Sequence, residues 1–233
     1  LKSLAGLLYS MFIIIEFLLP AVFSGWSPTW TSILTAVLST AVTLLLLNGQ
    51  SKKTAGAILA STTGVLCSLI LFGVMSALIH IDGFCSSDTE GLLLINENTD
   101  LQIHDVLFAS VLIASLGAIM DVGMSIVSAL YEIYMHNPAL SAGELYHSGI
   151  EIGKDMIGTM TNTLILAFTG SAFVTLLVFF SYQGQFNQLI NSNYLSIEIA
   201  QGICGTFGIV LTIPAASGIM ALLLTRSRTN KNL

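Results

Sequence analysis

Six apolar stretches, each long enough to cross a bilayer, dominate this chain: 4–23, 29–47, 54–79, 106–134, 157–182 and 197–224. A helical crossing of the roughly 30 Å hydrocarbon layer takes about 20 such residues. In hydrocarbon, backbone polar groups must be satisfied internally, and for continuous apolar runs the helix does this. The expected fold is therefore all-α, a polytopic membrane protein with six transmembrane helices in a single domain, 1–233. Only 9% of residues are charged and the mean hydropathy is +0.86, whereas a soluble domain carries about 25% charged residues. The formal net charge of −6 offers no basic footprint for nucleic acid.

The charges sort by side. Six crossings bring both termini to one face, together with the 48–53 and 136–156 connections. That face holds Lys2, Lys52, Lys53, Lys154, Arg226, Arg228 and Lys231, which are all seven basic residues. The opposite face holds Asp82, Asp88, Glu90, Glu97, Asp100 and Asp105. An odd number of spans would destroy this separation. The positive-inside rule then places both termini in the cytoplasm. Lys2 followed by an apolar run also suits a signal peptide. No A-x-A-type site precedes Gly25 or Trp26, which favours a retained first helix.

The connections carry their own signals. Pro20 and Pro28 bracket a tight turn, and Asn48-Gly49-Gln50-Ser51 closes the second span. Asn137-Pro138 ends the fourth helix, and Ser141-Ala-Gly-Glu144 is a capping box. A short inner amphipathic helix is expected over 141–156. The outer loop, 81–105, suits a small hairpin or a surface helix. His80, Asp82, Cys85, Asp88 and His104 gather around it, in a spacing that matches no zinc pattern, and no metal is expected. Pro214 should kink the sixth span.

Intramembrane acids are costly and carry the most information. Asp121 sits mid-way along the fourth span. Gly117, Ser125, Ser128 and Glu132 stand at −4, +4, +7 and +11 from it, so they share one helix face. The fifth span opens with Gly158-Thr159-Met160-Thr161-Asn162-Thr163. Thr159, Asn162 and Thr163 form a patch that could cradle the Asp121 carboxyl. One reading is a proton- or ion-coupling carboxylate; the other is interhelical glue. Glu16, in the outer half of the first span, is a second candidate. Glu132 and Glu198 lie at span ends, where charged residues are ordinary.

The segment from Gly117 to Ile133, with Asp121 and Glu132, followed by Ser148 to Ser171, with Asn162, closely resembles the YibE/F family of bacterial membrane proteins. That resemblance implies a shorter F-type member paired with a longer, YibE-like partner subunit, in the bacterial inner membrane. The same stretch is more distantly similar to the fourth and fifth helices of the RND superfamily, where a Gly-x-x-x-Asp motif precedes an inner helix and a polar fifth helix. Val122 stands where those exporters often carry a second aspartate, and no lysine lies within a span. The first connection is only Ser24–Pro28. The implied architecture is an RND-like six-helix bundle without the extracellular porter domain, acting as a homodimer or with a YibE-like partner.

The expected function is that of a transporter-type subunit, performing proton-coupled secondary transport or efflux of an unnamed solute. Asp121 would exchange the proton, with Asn162, Thr159, Thr163 and Ser125 shaping its site and Glu132 and Glu16 as further members of the path. The alternative is a non-transporting scaffold or accessory subunit. No nucleophile triad, P-loop or H-E-x-x-H is present, so neither enzymatic activity nor a cofactor is expected.

Overall fold

The computed structural model describes residues 2–79, 103–181 and 193–229. They form six long helices: α1 (Lys2–Phe23), α2 (Pro28–Asn48), α3 (Lys52–Ile79), α4 (Ile103–His136), α5 (Ala142–Ser181) and α6 (Asn193–Thr229). All six are long and apolar enough to span a membrane. Most of the expected outer loop, with His80, Asp82, Cys85 and Asp88, lies outside the described residues, while its last positions, 103–105 with His104, are already the first turn of α4. Lys231 also lies outside the described residues.

Local chemistry sets the helix ends. Gly25 (φ 85°) and Gly49 (φ 70°) hold the left-handed turns after α1 and α2, a conformation glycine adopts without steric cost. Pro28 opens α2 at a position whose missing N–H is no loss. Trp26 and Trp30 are exposed beside this turn, as amphipathic rings at a headgroup layer would be. The Ser51 hydroxyl accepts from the Thr54 N–H at 3.2 Å and starts α3. The capping box forms as the sequence implies. The Ser141 N–H and hydroxyl each donate to Glu144 Oε2 at 2.8 Å, and the Glu144 N–H donates to Ser141 Oγ at 3.3 Å. These donors hold the Glu144 carboxyl below the usual carboxylate range.

The segment 141–156 does not form a separate short helix. It is the start of α5, which runs unbroken to Ser181. The reason is packing: Gly149 and Gly153 lie directly against Ser217 and Ile213 of α6, so the segment is held in line with the crossing that follows. α6 likewise continues through Pro214. Single chain-interior prolines are tolerated in membrane helices where neighbours and side chains re-satisfy the freed backbone.

α6 is the axis of the bundle, packing against α3, α4 and α5. The core joins Val65 of α3, Ile119, Val122, Ile126 and Leu130 of α4, Leu145 of α5 and Ile209, Ile213 and Met220 of α6. Contacts are close because small residues face bulkier ones. A Cβ on Gly64 would collide with Thr212, and one on Gly153 with Ile213. Ser68 Oγ also donates to the Cys204 carbonyl at 2.9 Å, tying α3 to α6.

α1 packs chiefly on α2. Gly6 lies against Thr43, and the hydroxyls of Ser10 and Ser39 share a 2.7 Å hydrogen bond. A π-helical turn at Ile14–Leu18 interrupts α1.

The packing generates a test. Gly153→Ala should destabilise the protein by about 1–3 kcal/mol, because its methyl group has no room. Gly158→Ala, on the same helix with open space around it, should be neutral or slightly stabilising. Thermal unfolding in detergent reads both.

Candidate functional site

Asp121 lies on α4, twelve residues from Ala109 and fifteen from His136, the ends of that candidate span. At 1.5 Å per residue these flanks are about 18 and 22 Å long. Asp121 therefore sits near the middle of that candidate span. Around it the sequence pattern holds: Gly117, Asp121, Ser125 and Glu132 share a face and are all exposed, with Ser128 half-buried. The opposite face, with Ile119, Val122, Ile126 and Leu130, is fully buried.

The stripe thus points away from its own bundle. Its composition separates it from the other outward faces. α1 exposes Leu4, Leu7, Leu8, Met11, Phe12, Ile15 and Leu19, and α3 exposes Leu59, Leu66, Ile70, Val74 and Leu78. Such faces are at home in lipid. Between Ala109 and Glu132, α4 exposes no large apolar side chain among the described residues. A Cβ on Gly117 would meet nothing.

The expected cradle on α5 is also outward-facing. Thr159, Asn162 and Thr163 are exposed. Thr163 Oγ1 donates to the Thr159 carbonyl at 2.9 Å, so its proton is used within its own helix. Among the described residues no hydrogen bond joins Asp121 to Asn162, and Ser125 has no side-chain partner either. α4 and α5 do pack together, and Met120, Met124, Met156, Ile157 and Met160 all pack against the shared core. The fold therefore brings the two helices together without a hydrogen bond between Asp121 and Asn162.

The two further acids go elsewhere. Glu132 Oε1 accepts from Lys53 Nζ at 2.7 Å, and the ammonium also sits 4.4 Å from the centre of the Tyr131 ring. This pair closes the end of the bundle where α3 begins and α4 ends. Glu16 is exposed within the π-helical turn of α1, on a helix that packs on α2 and not on the Asp121 face. Lys154 pairs with Glu151 at 2.6 Å along α5.

Two features escaped the sequence reading. α2 buries Thr31, Ser32, Thr35, Ser39, Thr40 and Thr43; a row at 31, 35, 39 and 43 was visible as a four-residue repeat. Several of these hydroxyls return to their own backbone, Thr35 to the Thr31 carbonyl at 2.8 Å and Ser32 to the Pro28 carbonyl at 2.6 Å. The second feature is that Glu198 is half-buried, with Oε2 shielded, rather than lying at an open interface.

Six spanning helices, one of them with a mid-span carboxyl on an outward polar face, define a multi-pass membrane protein. The chain belongs to the YibE/F-like protein family, whose profile matches residues 1–226. No curated protein and no solved structure matches it.

Asp121 makes no hydrogen bond within the described chain, so Asp121→Leu should leave the isolated protein's stability within about 0.5 kcal/mol of wild type. A melting curve in detergent checks this. A large loss of stability would mean that the carboxyl has a structural partner in its own bundle.

Proposed function

We propose that this chain is the membrane-embedded subunit of a proton-coupled transporter, with Asp121 as the coupling carboxylate. The observation that carries the reading is the outward polar stripe. An unpartnered carboxyl facing hydrocarbon is expensive, so Gly117, Asp121, Ser125, Thr159 and Asn162 are best explained as half of a site that a second subunit completes. Small residues on that face allow two backbones to approach closely. Protonation of Asp121 would alter the charge at this seam and bias how the two units pack. The likeness of the Gly117–Asp121 pattern to the RND superfamily supports the same arrangement, since RND membrane domains consist of two six-helix units side by side.

The partner is a second copy or a longer YibE-like subunit. The positively charged end of the bundle, with Lys2, Lys52, Lys53, Lys154 and Arg226, lies in the cytoplasm of a bacterial inner membrane by the positive-inside rule. A second reading, a scaffold in which the stripe is inter-subunit glue, draws on the same small residues.

Proton uptake separates the two. After a pH jump across neutrality, wild-type protein reconstituted in lipid should take up about one proton more than Asp121→Asn. Equal uptake would favour the scaffold, because asparagine preserves the hydrogen-bonding capacity of the site. The partner is read by Ser125→Cys in membranes. With Cys67, Cys85 and Cys204 replaced by serine, a covalent dimer on mild oxidation identifies a second copy, whereas a cross-link that forms only on co-expression with a cysteine-bearing YibE-like subunit identifies that partner.

A further inference from the structure

The two ends of α2 fix how deep α4 sits. At one end Ser27 Oγ donates to Asp105 Oδ2 at 3.4 Å; at the other, Asn48 Nδ2 lies 3.5 Å from Met124 Sδ. The separations along the chain are 78 and 76 residues, so the two helices run side by side in a near-constant register. α2 has 21 residues, about 31 Å, which matches the thickness of the hydrocarbon layer. Exposed Trp26 and Trp30 mark its first end. Its last end opens into Gly49, Gln50 and Ser51, which are exposed and non-helical. Irregular backbone facing lipid is not tolerated inside hydrocarbon. This turn therefore lies at or beyond the edge of that layer, and Met124 is level with the residue that precedes it. Asp121 stands three residues before Met124 on α4, about 4.5 Å of helix rise.

α5 marks the same level independently. Gly149 lies against Leu130, and α5 runs antiparallel to α4. Lys154 and Asp155, further along α5, therefore come level with Met124 and Ser125. Both are exposed, and Lys154 pairs with Glu151. From Met156 to Ser181, α5 carries no charged residue. Charge ends on α5 at the level where the turn begins on α2.

The outward stripe of α4 is asymmetric about Asp121. Toward the face that carries both termini come Ser125, Ser128 and Glu132, the last paired with Lys53. In the other direction the next exposed positions are Gly117 and Ala114, whose side chains offer water no hydrogen bond. We propose that water reaches the Asp121 carboxyl from the face bearing both termini, along Ser125 and Ser128, and not from the opposite face. This deepens the coupling reading by naming the side on which the carboxyl exchanges its proton, and it rests on that reading only for the proton. By the positive-inside rule, that side is the cytoplasm.

The test is thiol accessibility in the full chain, with Cys67, Cys85 and Cys204 replaced by serine and the protein held in sealed vesicles of the two opposite orientations. The probe is a membrane-impermeant sulfonated methanethiosulfonate, which reacts with thiolate in water. Arg226→Cys and Trp26→Cys report which face is outside. Asp121→Cys and Ser125→Cys, reduced beforehand, should react about tenfold faster in the orientation that exposes Arg226→Cys than in the other. Ala114→Cys, about 10 Å further along α4 from Asp121, should react about tenfold more slowly than Ser125→Cys in that orientation. Reaction of Asp121→Cys in the Trp26→Cys orientation, or in neither, would overturn the proposal. Proton uptake by the wild-type protein tests coupling separately. Asp121-dependent uptake without thiol access from the termini side removes the entry side and keeps the coupling carboxylate; access without such uptake keeps the entry side and removes the coupling.

Discussion

The structure depends on how closely α6 can be approached. In a bilayer, burying apolar surface between helices gains little, because lipid is equally apolar. Cohesion comes from dispersion, which falls off steeply with any gap. The contacts of Gly64 with Thr212, of Gly153 with Ile213 and of Gly208 with Ile119 let three helices close on a fourth at short range. α3, α4 and α5 are thereby arranged around one axis, and the azimuth of α4 is fixed. Fixing the azimuth determines that Ile119, Val122 and Ile126 face inward and that Asp121 faces outward.

That geometry divides the outer surface into two kinds. The leucine, isoleucine and phenylalanine faces of α1 and α3 match acyl chains. The middle of α4 and the beginning of the α5 crossing offer glycine, serine, threonine, asparagine and aspartate instead. A solvent that cannot form hydrogen bonds makes this contrast sharper than any surface contrast on a soluble protein. The same solvent explains why several of the buried hydroxyls of α2 turn back to their own carbonyls, as Thr35 does to Thr31.

Much of this was legible in the sequence. The six spans agree with the helices to within a few residues, apart from the inward extension of α5. Asn137-Pro138 and Ser141–Glu144 mark the ends they were expected to mark. The 3.6-residue period correctly grouped Gly117, Asp121, Ser125 and Glu132. A period reveals which residues share a face, but not what that face meets. Hence the expected cradle between Asp121 and Asn162 did not form within the chain, although both helices are adjacent. Glu132 joined the stripe by register, yet Lys53, far away in sequence, takes its carboxylate. The half-burial of Glu198 was equally hidden, since it depends on how neighbouring elements pack.

The π-helical turn in α1 shows how one residue can redirect a charge. Gly6, Ser10 and Ile13 follow the usual steps along the side facing α2, and the next buried position is Leu18, five residues on. In an uninterrupted α-helix, position 16 would lie within about 60° of Ile13 and return an acid to the α2 seam. The wider turn absorbs an extra residue, so the seam resumes at Leu18 and Glu16 swings outward. The insertion acts as a phase shift: it changes the compass bearing of the helix's one acid.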